Sequence, residues 1–170
     1  YLAAAGVGRL RLIDSDVVSL SNLQRQILFD TGDVGREKPH AARAALMGLN
    51  PHVAVETIED RLTAEAAEAM LEGASIVLDG SDNFPTRHIV NAACHAMGAT
   101  LVSGAAVRFD GQIGTFKSGL TRGLPADQRA PCYACFAPDP PEQDDQCGTL
   151  GVVGAVTGAI GALMALEAIK

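Results

Sequence analysis

The chain has 170 residues, the length of one domain with a sizeable core. With 48% hydrophobic residues it belongs among globular rather than disordered chains, and with 4% aromatics and no Trp that core must be aliphatic. A formal net charge of −7 argues against a general binder of nucleic acid or anionic membrane. YLAAAGVG carries no charged n-region or cleavage pattern. A cytoplasmic, reducing setting follows, where paired cysteines lean towards metal binding or catalysis.

In chain order, YLAAAG reads as the end of a helix stopped by Gly6. The chain opens on Tyr1 and stops at Lys170 inside a helical pattern, so a fragment cut at both ends is expected. RLRLIDSD (9–16) is a short strand, 35–50 has helical spacing closed by Asn50-Pro51, and HVAVETIED (52–60) alternates as a strand. Residues 63–73 start at a Thr cap and stop at Gly73 as a helix. SIVLDG (75–80) is an apolar strand, and 83–98 is a helix that tolerates Pro85 only in its first turn. TLVSGAAV and GQIGTFK are two further strands. This alternation predicts an α/β fold: a Rossmann-like, mostly parallel sheet with helices on both faces.

Residues 118–149 break the rhythm, holding five of the eight prolines and three of the four cysteines, so this long loop should be functional or metal-clamped. From Gly148 to Leu166 there is no charge, and Gly154 and Gly158 have GxxxG spacing. A transmembrane helix competes here with a helix whose Gly/Ala face packs closely on another backbone; the α/β character of the rest of the chain favours the second.

Five groups of residues could carry chemistry. Asp14, Asp16, Asp79 and Asp82 fall at strand ends, where parallel sheets bind ligands; Asp14 or Asp16 could hold a ribose, or merely form a turn. In DGSDN (79–83), Asp82 and Asn83 offer short oxygen ligands suited to Mg²⁺ and phosphate, or a helix cap. Lys38, with Arg36 nearby, begins a helix against the helix dipole, which suits either a phosphate contact or an ordinary solvated lysine. Cys132 and Cys135 form a CxxC in a Pro-rich loop, which favours half of a structural zinc site over a redox pair. Cys147 sits beside acids yet ahead of a long helix, so a nucleophile and an inert thiol are both open. Cys94 reads as core.

The stretch LIDSDVVSLSNLQRQ resembles the ThiF/MoeB/HesA family, bacterial relatives of ubiquitin-activating enzymes. VGREKPHAARAAL, NPHVAV, VLDGSDNFPTR, LVSGAAVRFDGQI, PCYACF and the last twenty residues continue the likeness in the family's order. The resemblance implies a single adenylation domain over 1–170, with 118–149 as its crossover loop. It also implies ATP-dependent adenylylation of the C-terminal Gly-Gly carboxylate of a ubiquitin-like sulfur-carrier protein by a homodimer, in a molybdopterin or thiamine pathway, releasing pyrophosphate. On that likeness Asp14 would hold the ATP ribose and Asn22 and Lys38 its phosphates. Arg25, with Gln24 beside it, would reach the partner's site. Asp82 would bind Mg²⁺ with Asn83 next to it, Cys132 and Cys135 would be two of four Zn²⁺ ligands, and Cys147 would be the active-site cysteine. The family's Gly-rich loop, an upstream Arg and a second CxxC are not in these 170 residues. An NAD-dependent oxidoreductase of similar fold would explain Asp14 but not Arg25, Lys38, Asp82 or the CxxC. A non-catalytic carrier-binding scaffold would share the fold without the chemistry.

Overall fold

The computed structural model describes residues 1–138 and 151–170, which fall into two compact units, 1–62 and 63–170. The first unit opens with a turn in which Gly6 N–H bonds to Ala3 O and Val7 N–H to Leu2 O. Gly6 has φ +85°. These are the paired bonds of a Schellman stop, which needs a residue that tolerates the left-handed region. Strands β1 (Arg9–Ile13) and β2 (Ala54–Ile58) run parallel, joined by a crossover containing α1 (Lys38–Leu49). Alternation sorts their faces. Leu10, Leu12 and Val55 pack with Ala3, Leu46 and Val53 into the core. On the opposite face Arg11 stands across from Glu56 in register and bonds to it at 2.9 Å.

In the second unit β3 (Ile76–Asp79) lies parallel to β4 (Thr100–Val107), and β4 pairs antiparallel with β5 (Asp110–Phe116). Helix α2 (Ala67–Leu71) is shorter than the pattern predicts: Thr63 accepts from Ala66 and Ala67 as expected, but the first residues form only turns. Helix α3 (Phe84–Met97) has Asn83 as its N-cap, with Oδ1 accepting from Thr86 N–H at 2.9 Å, and ends at Gly98 with φ +75°. Short helical pieces α4 (Ser118–Thr121) and α5 (Tyr133–Phe136) follow. Helix α6 (Gly154–Ile169) closes the chain. No helix among the described residues is long and apolar enough to cross a membrane.

The second unit has helices on both faces of its sheet. Ser103 of β4 points to α3, where Arg87 bonds to it, while a Cβ at the next residue, Gly104, would meet Met164 and Ile160 of α6. The sheet is therefore mixed and three-stranded here, and parallel and two-stranded in the first unit, so the expected parallel character holds for β1–β2 and β3–β4 but not for the β4–β5 hairpin. Of the GxxxG pair, Gly158 has nothing within 4 Å of a built Cβ among the described residues; the strand glycines that lie against α6 are Gly104 and Gly111, and a Cβ on Gly111 would stand 2.6 Å from Ile160 Cδ1.

Two glycines should therefore respond oppositely to alanine. A Cβ at Gly119 in α4 would meet the backbone oxygens of Cys94 at 2.7 Å and His95 at 2.8 Å, atoms that cannot rotate away. Gly119→Ala should cost about 1–3 kcal/mol, whereas Gly158→Ala, in an open helix position, should gain roughly 0.5–1 kcal/mol. Urea unfolding of the two variants measures both, and equal effects would contradict the packing described.

Candidate functional site

In the first unit the loop after β1 is closed at its base. Val18 N–H bonds to Arg36 O, Gly35 N–H to Val18 O, and Lys38 N–H to Asp16 O. This fastens residues 16–18 to 35–38, and the long loop between them carries Asn22, Gln24 and Arg25. It also delivers Lys38, the first residue of α1, to the end of β1. Lys38 is 8% exposed, and its Nζ lies 2.7 Å from Asp16 Oδ2 and 3.7 Å from Asp14 Oδ2. Asp14 also accepts from Asp16 N–H at 2.9 Å. The ammonium is thus no solvated helix residue: it is buried and sits beside two partly exposed carboxylates.

Arg25 is different. Among the described residues its guanidinium makes one long bond, to Ser21 O at 3.3 Å, and no ion pair. Around it the loop exposes large apolar side chains, with Leu20 at 69% and Ile27 at 85%. Asn22 forms the end of a single 3₁₀ turn with Leu20 and Ser21, and Gln24 is exposed.

In the second unit the two acids of DGSD separate. Asp79 is 5% exposed; it accepts from Ser81 N–H at 2.9 Å and from Ser103 Oγ at 3.3 Å, with Arg87 Nη1 at 3.7 Å. Asp82 is exposed, and its polar neighbour is the Asn83 amide at 3.4 Å. Asp82 is therefore the carboxylate free to meet a cation. Asn83 is occupied as the cap of α3, one of the two roles its sequence allows.

Arg87 was not singled out by its sequence context. It is buried, donates to Ser103 Oγ at 3.0 Å and Gly104 O at 2.9 Å, and also bonds to Ser81 O. It fixes the loop that carries Asp82 to β4. The signal that could have found it is its spacing: it lies one turn after the Asn83 cap, on the helix face it shares with Asn91. Arg87 also lines a cavity of about 220 Å³ with Ser103, Gln112, Phe116 and Tyr133.

The CxxC lies at the start of α5, not in open loop. Cys132 is the residue before the helix, and its Sγ is 3.7 Å from Cys135 Sγ. Two ligands of a tetrahedral zinc with Zn–S near 2.3 Å stand about 3.8 Å apart, so the pair has the spacing of one tetrahedron edge. Burial alone would raise the Cys132 thiol, but hydrogen bonds from the Asn91 side chain, from Cys135 and from the Ala134 backbone lower it below the ordinary value. Cys147 lies outside the described residues. No group of three or more potential metal-binding side chains gathers among the described residues.

The sequence matches the ThiF family over residues 1–170. The chain belongs to the ThiF family. It is 46% identical over 135 residues to a sulfur carrier protein adenylyltransferase of Thermus thermophilus, covering 79% of this chain and 48% of that protein. It is 42% identical over 135 residues to a molybdopterin-synthase adenylyltransferase of Salmonella typhimurium, covering 79% of this chain and 51% of that one. This ThiF-family chain thus spans about half the length of the curated relatives it matches. The crystal structure of E. coli MccB with ATP shares the α/β fold with a TM-score of 0.79 at 23% identity, over 99% of this chain and 50% of that one.

Cys94 meets its expectation as core. It is buried, and desolvation, reinforced by the negative charge of Asp79, pushes its thiol up to about 12. The native protein should leave Cys94 unalkylated near pH 8, with full labelling after denaturation, read by peptide mass spectrometry. Because the folded state keeps this proton longer than the unfolded chain, the stability it contributes is complete below the ordinary thiol value of 9.0 and is lost as pH rises towards about 12. Cys94→Ala should flatten the decline in unfolding midpoint over that window relative to wild type; an unchanged slope would contradict the assignment.

Proposed function

We propose that residues 1–170 form one adenylation domain that activates the C-terminal glycine carboxylate of a ubiquitin-like sulfur-carrier protein with MgATP, releasing pyrophosphate. The observation that carries this reading is Lys38, a buried cation at the end of β1, with Asp14 beside it. A strand-end acid next to a buried lysine suits a ribose hydroxyl and a phosphate respectively. The named activities of the relatives support the same reaction, being adenylyltransferases for a sulfur carrier protein and for molybdopterin synthase.

The chemistry asks for charge neutralisation. A carboxylate oxygen attacks the α-phosphorus, the P–O bond to the β-phosphate breaks, and two anions must approach. Lys38 neutralises phosphate charge, with Asn22 as a neutral donor to the same group. Asp82 would hold Mg²⁺ through its exposed carboxylate, beside Asn83. Magnesium characteristically takes one or two carboxylates plus substrate phosphates, so a single acid fits; bound there, the ion supplies a further positive charge on the leaving pyrophosphate. The protein's part is position and electrostatics rather than covalent work.

Arg25 we assign to the partner's site in a homodimer. Its guanidinium has no ion pair among the described residues, and exposed Leu20, Ile27 and Leu28 around it offer apolar surface for a second copy. Gln24 accompanies it on the exposed side of the loop. Cys132 and Cys135 are proposed as two of four zinc thiolates that fasten the 118–149 crossover loop. Cys147 is proposed as the cysteine that receives the activated carrier or its sulfur. The domain is read as cytoplasmic.

Carrier-dependent ATP–pyrophosphate exchange by the full-length protein tests the reaction; binding of NAD without exchange would sink it. Asp82→Ala should abolish exchange, and unchanged exchange would remove the metal role and favour a scaffold. Arg25→Ala should slow exchange by up to the roughly 10³–10⁵-fold seen for arginine fingers in phosphoryl transfer. Mixing Arg25→Ala with Asp82→Ala subunits should restore part of the activity, because one site of each mixed dimer keeps both residues. No recovery on mixing would assign Arg25 to its own subunit's site.

A further inference from the structure

We propose that Asn91 is a positioning residue for the CxxC metal segment, holding the backbone between its two cysteines in place from helix α3. The inference rests on reading Cys132 and Cys135 as zinc ligands. Asn91 is 7% exposed in the middle of α3, where a bare amide would be costly unless it were hydrogen-bonded. Its oxygen is satisfied by the CxxC segment: Oδ1 accepts from Tyr133 N–H at 2.8 Å, the residue directly after Cys132. Only the oxygen of an amide can accept, so this bond fixes which end of Asn91 faces the segment.

Tyr133 completes the arrangement. It is 2% exposed, and its ring stands edge-on to His88 of α3 at 5.6 Å and to Phe116 of β5 at 5.8 Å. The segment is thus plugged into the fold between the two cysteines, by one aromatic ring and one amide. A metal-ligating group whose other contacts are fixed binds with less ordering cost, and loss of such a supporting partner typically weakens metal binding 10–100-fold. Asn83, Arg87 and Asn91 lie at four-residue intervals along α3. Four residues advance just over one turn, so the three share one face of the helix. That face carries the cap beside Asp82, the arginine that ties down its loop, and the amide that ties down the CxxC. One rigid helix therefore sets both the candidate magnesium loop and the candidate zinc segment.

The full-length protein tests this with two readouts. Zinc release to a chromogenic chelator should show affinity about 10–100-fold weaker in Asn91→Ala. Val90→Ala removes buried apolar contact from the same helix while leaving the Asn91 amide in place, and should lose stability but keep the affinity of wild type. Unchanged affinity in Asn91→Ala, or an equal loss in Val90→Ala, overturns the proposal. The second readout needs no metal: the Tyr133 amide should exchange with solvent slowly in wild type and at least tenfold faster in Asn91→Ala. A wild type that holds no zinc while showing this difference refutes the zinc reading and leaves the positioning role standing; no difference refutes the role. Should Asn91→Ala fail to fold, Asn91→Asp keeps the acceptor for Tyr133. It should retain slow exchange of the Tyr133 amide, and fast exchange there overturns the proposal.

Discussion

The second unit depends on one buried guanidinium. Arg87 reaches the end of β3 through Asp79, the next loop through Ser81 O, and β4 through Ser103 and Gly104 O. Taking a guanidinium out of water is expensive, and the expense is offset only if its donors are satisfied with good geometry. Here the partners come from three separate segments. The satisfied network therefore also specifies their arrangement: β3 and β4 in register, and the 80–83 loop held above their carboxyl ends. Removing Asp79 would strand the cation, and removing Arg87 would strand the acid. The loop that presents Asp82 is rigid for this reason.

The first unit uses charge in the opposite way. Lys38 is buried, but Asp14 and Asp16 keep much of their surface in water. Its ion pairs are half-solvated, with Asp14 and Asp16 side chains 42% and 66% exposed against 10% for the lysine. The backbone bonds between 16–18 and 35–38 hold its Cα in place. Arg25, on the excursion between those two clamps, has no comparable anchor. A clamp that fixes Lys38 while leaving the loop tip outside the core gives one residue precision and the other reach.

Much of this was legible because it is local. Period-two alternation marked β2, and the Gly6 stop and the Asn83 cap marked helix ends, since caps and stops are set by neighbours in sequence. The likeness to the ThiF family was legible from ordered blocks that no single spacing could match. What was not legible depended on partners far along the chain. Arg87 and Asn91 looked like ordinary polar residues of an amphipathic helix; their roles come from Ser103, Gly104 and Tyr133, which lie 16, 17 and 42 residues away. The strand glycines against α6 were not legible for the same reason: Gly104 and Gly111 give Ile160 and Met164 room, and neither is near them in sequence.

The strand-end acids carry the sharpest lesson. DSD and DGSD begin alike: Asp14 accepts from the N–H two residues on, and Asp79 does the same, each at 2.9 Å. Local chemistry is identical, as expected of a side chain that mimics a backbone turn. The difference is what stands behind each turn. Asp79 is enclosed with Arg87 and Ser103, which use up its second oxygen, so it serves the fold. Asp14 Oδ2 stands at the same 3.7 Å from its own cation, Lys38, but its side chain is 42% exposed, so that oxygen faces solvent as well. An acid at the carboxyl end of a strand is thus not diagnostic of a ligand contact. Burial separates the two acids, since both have a cation at 3.7 Å, and in DGSD the exposed acid is Asp82, three residues further on.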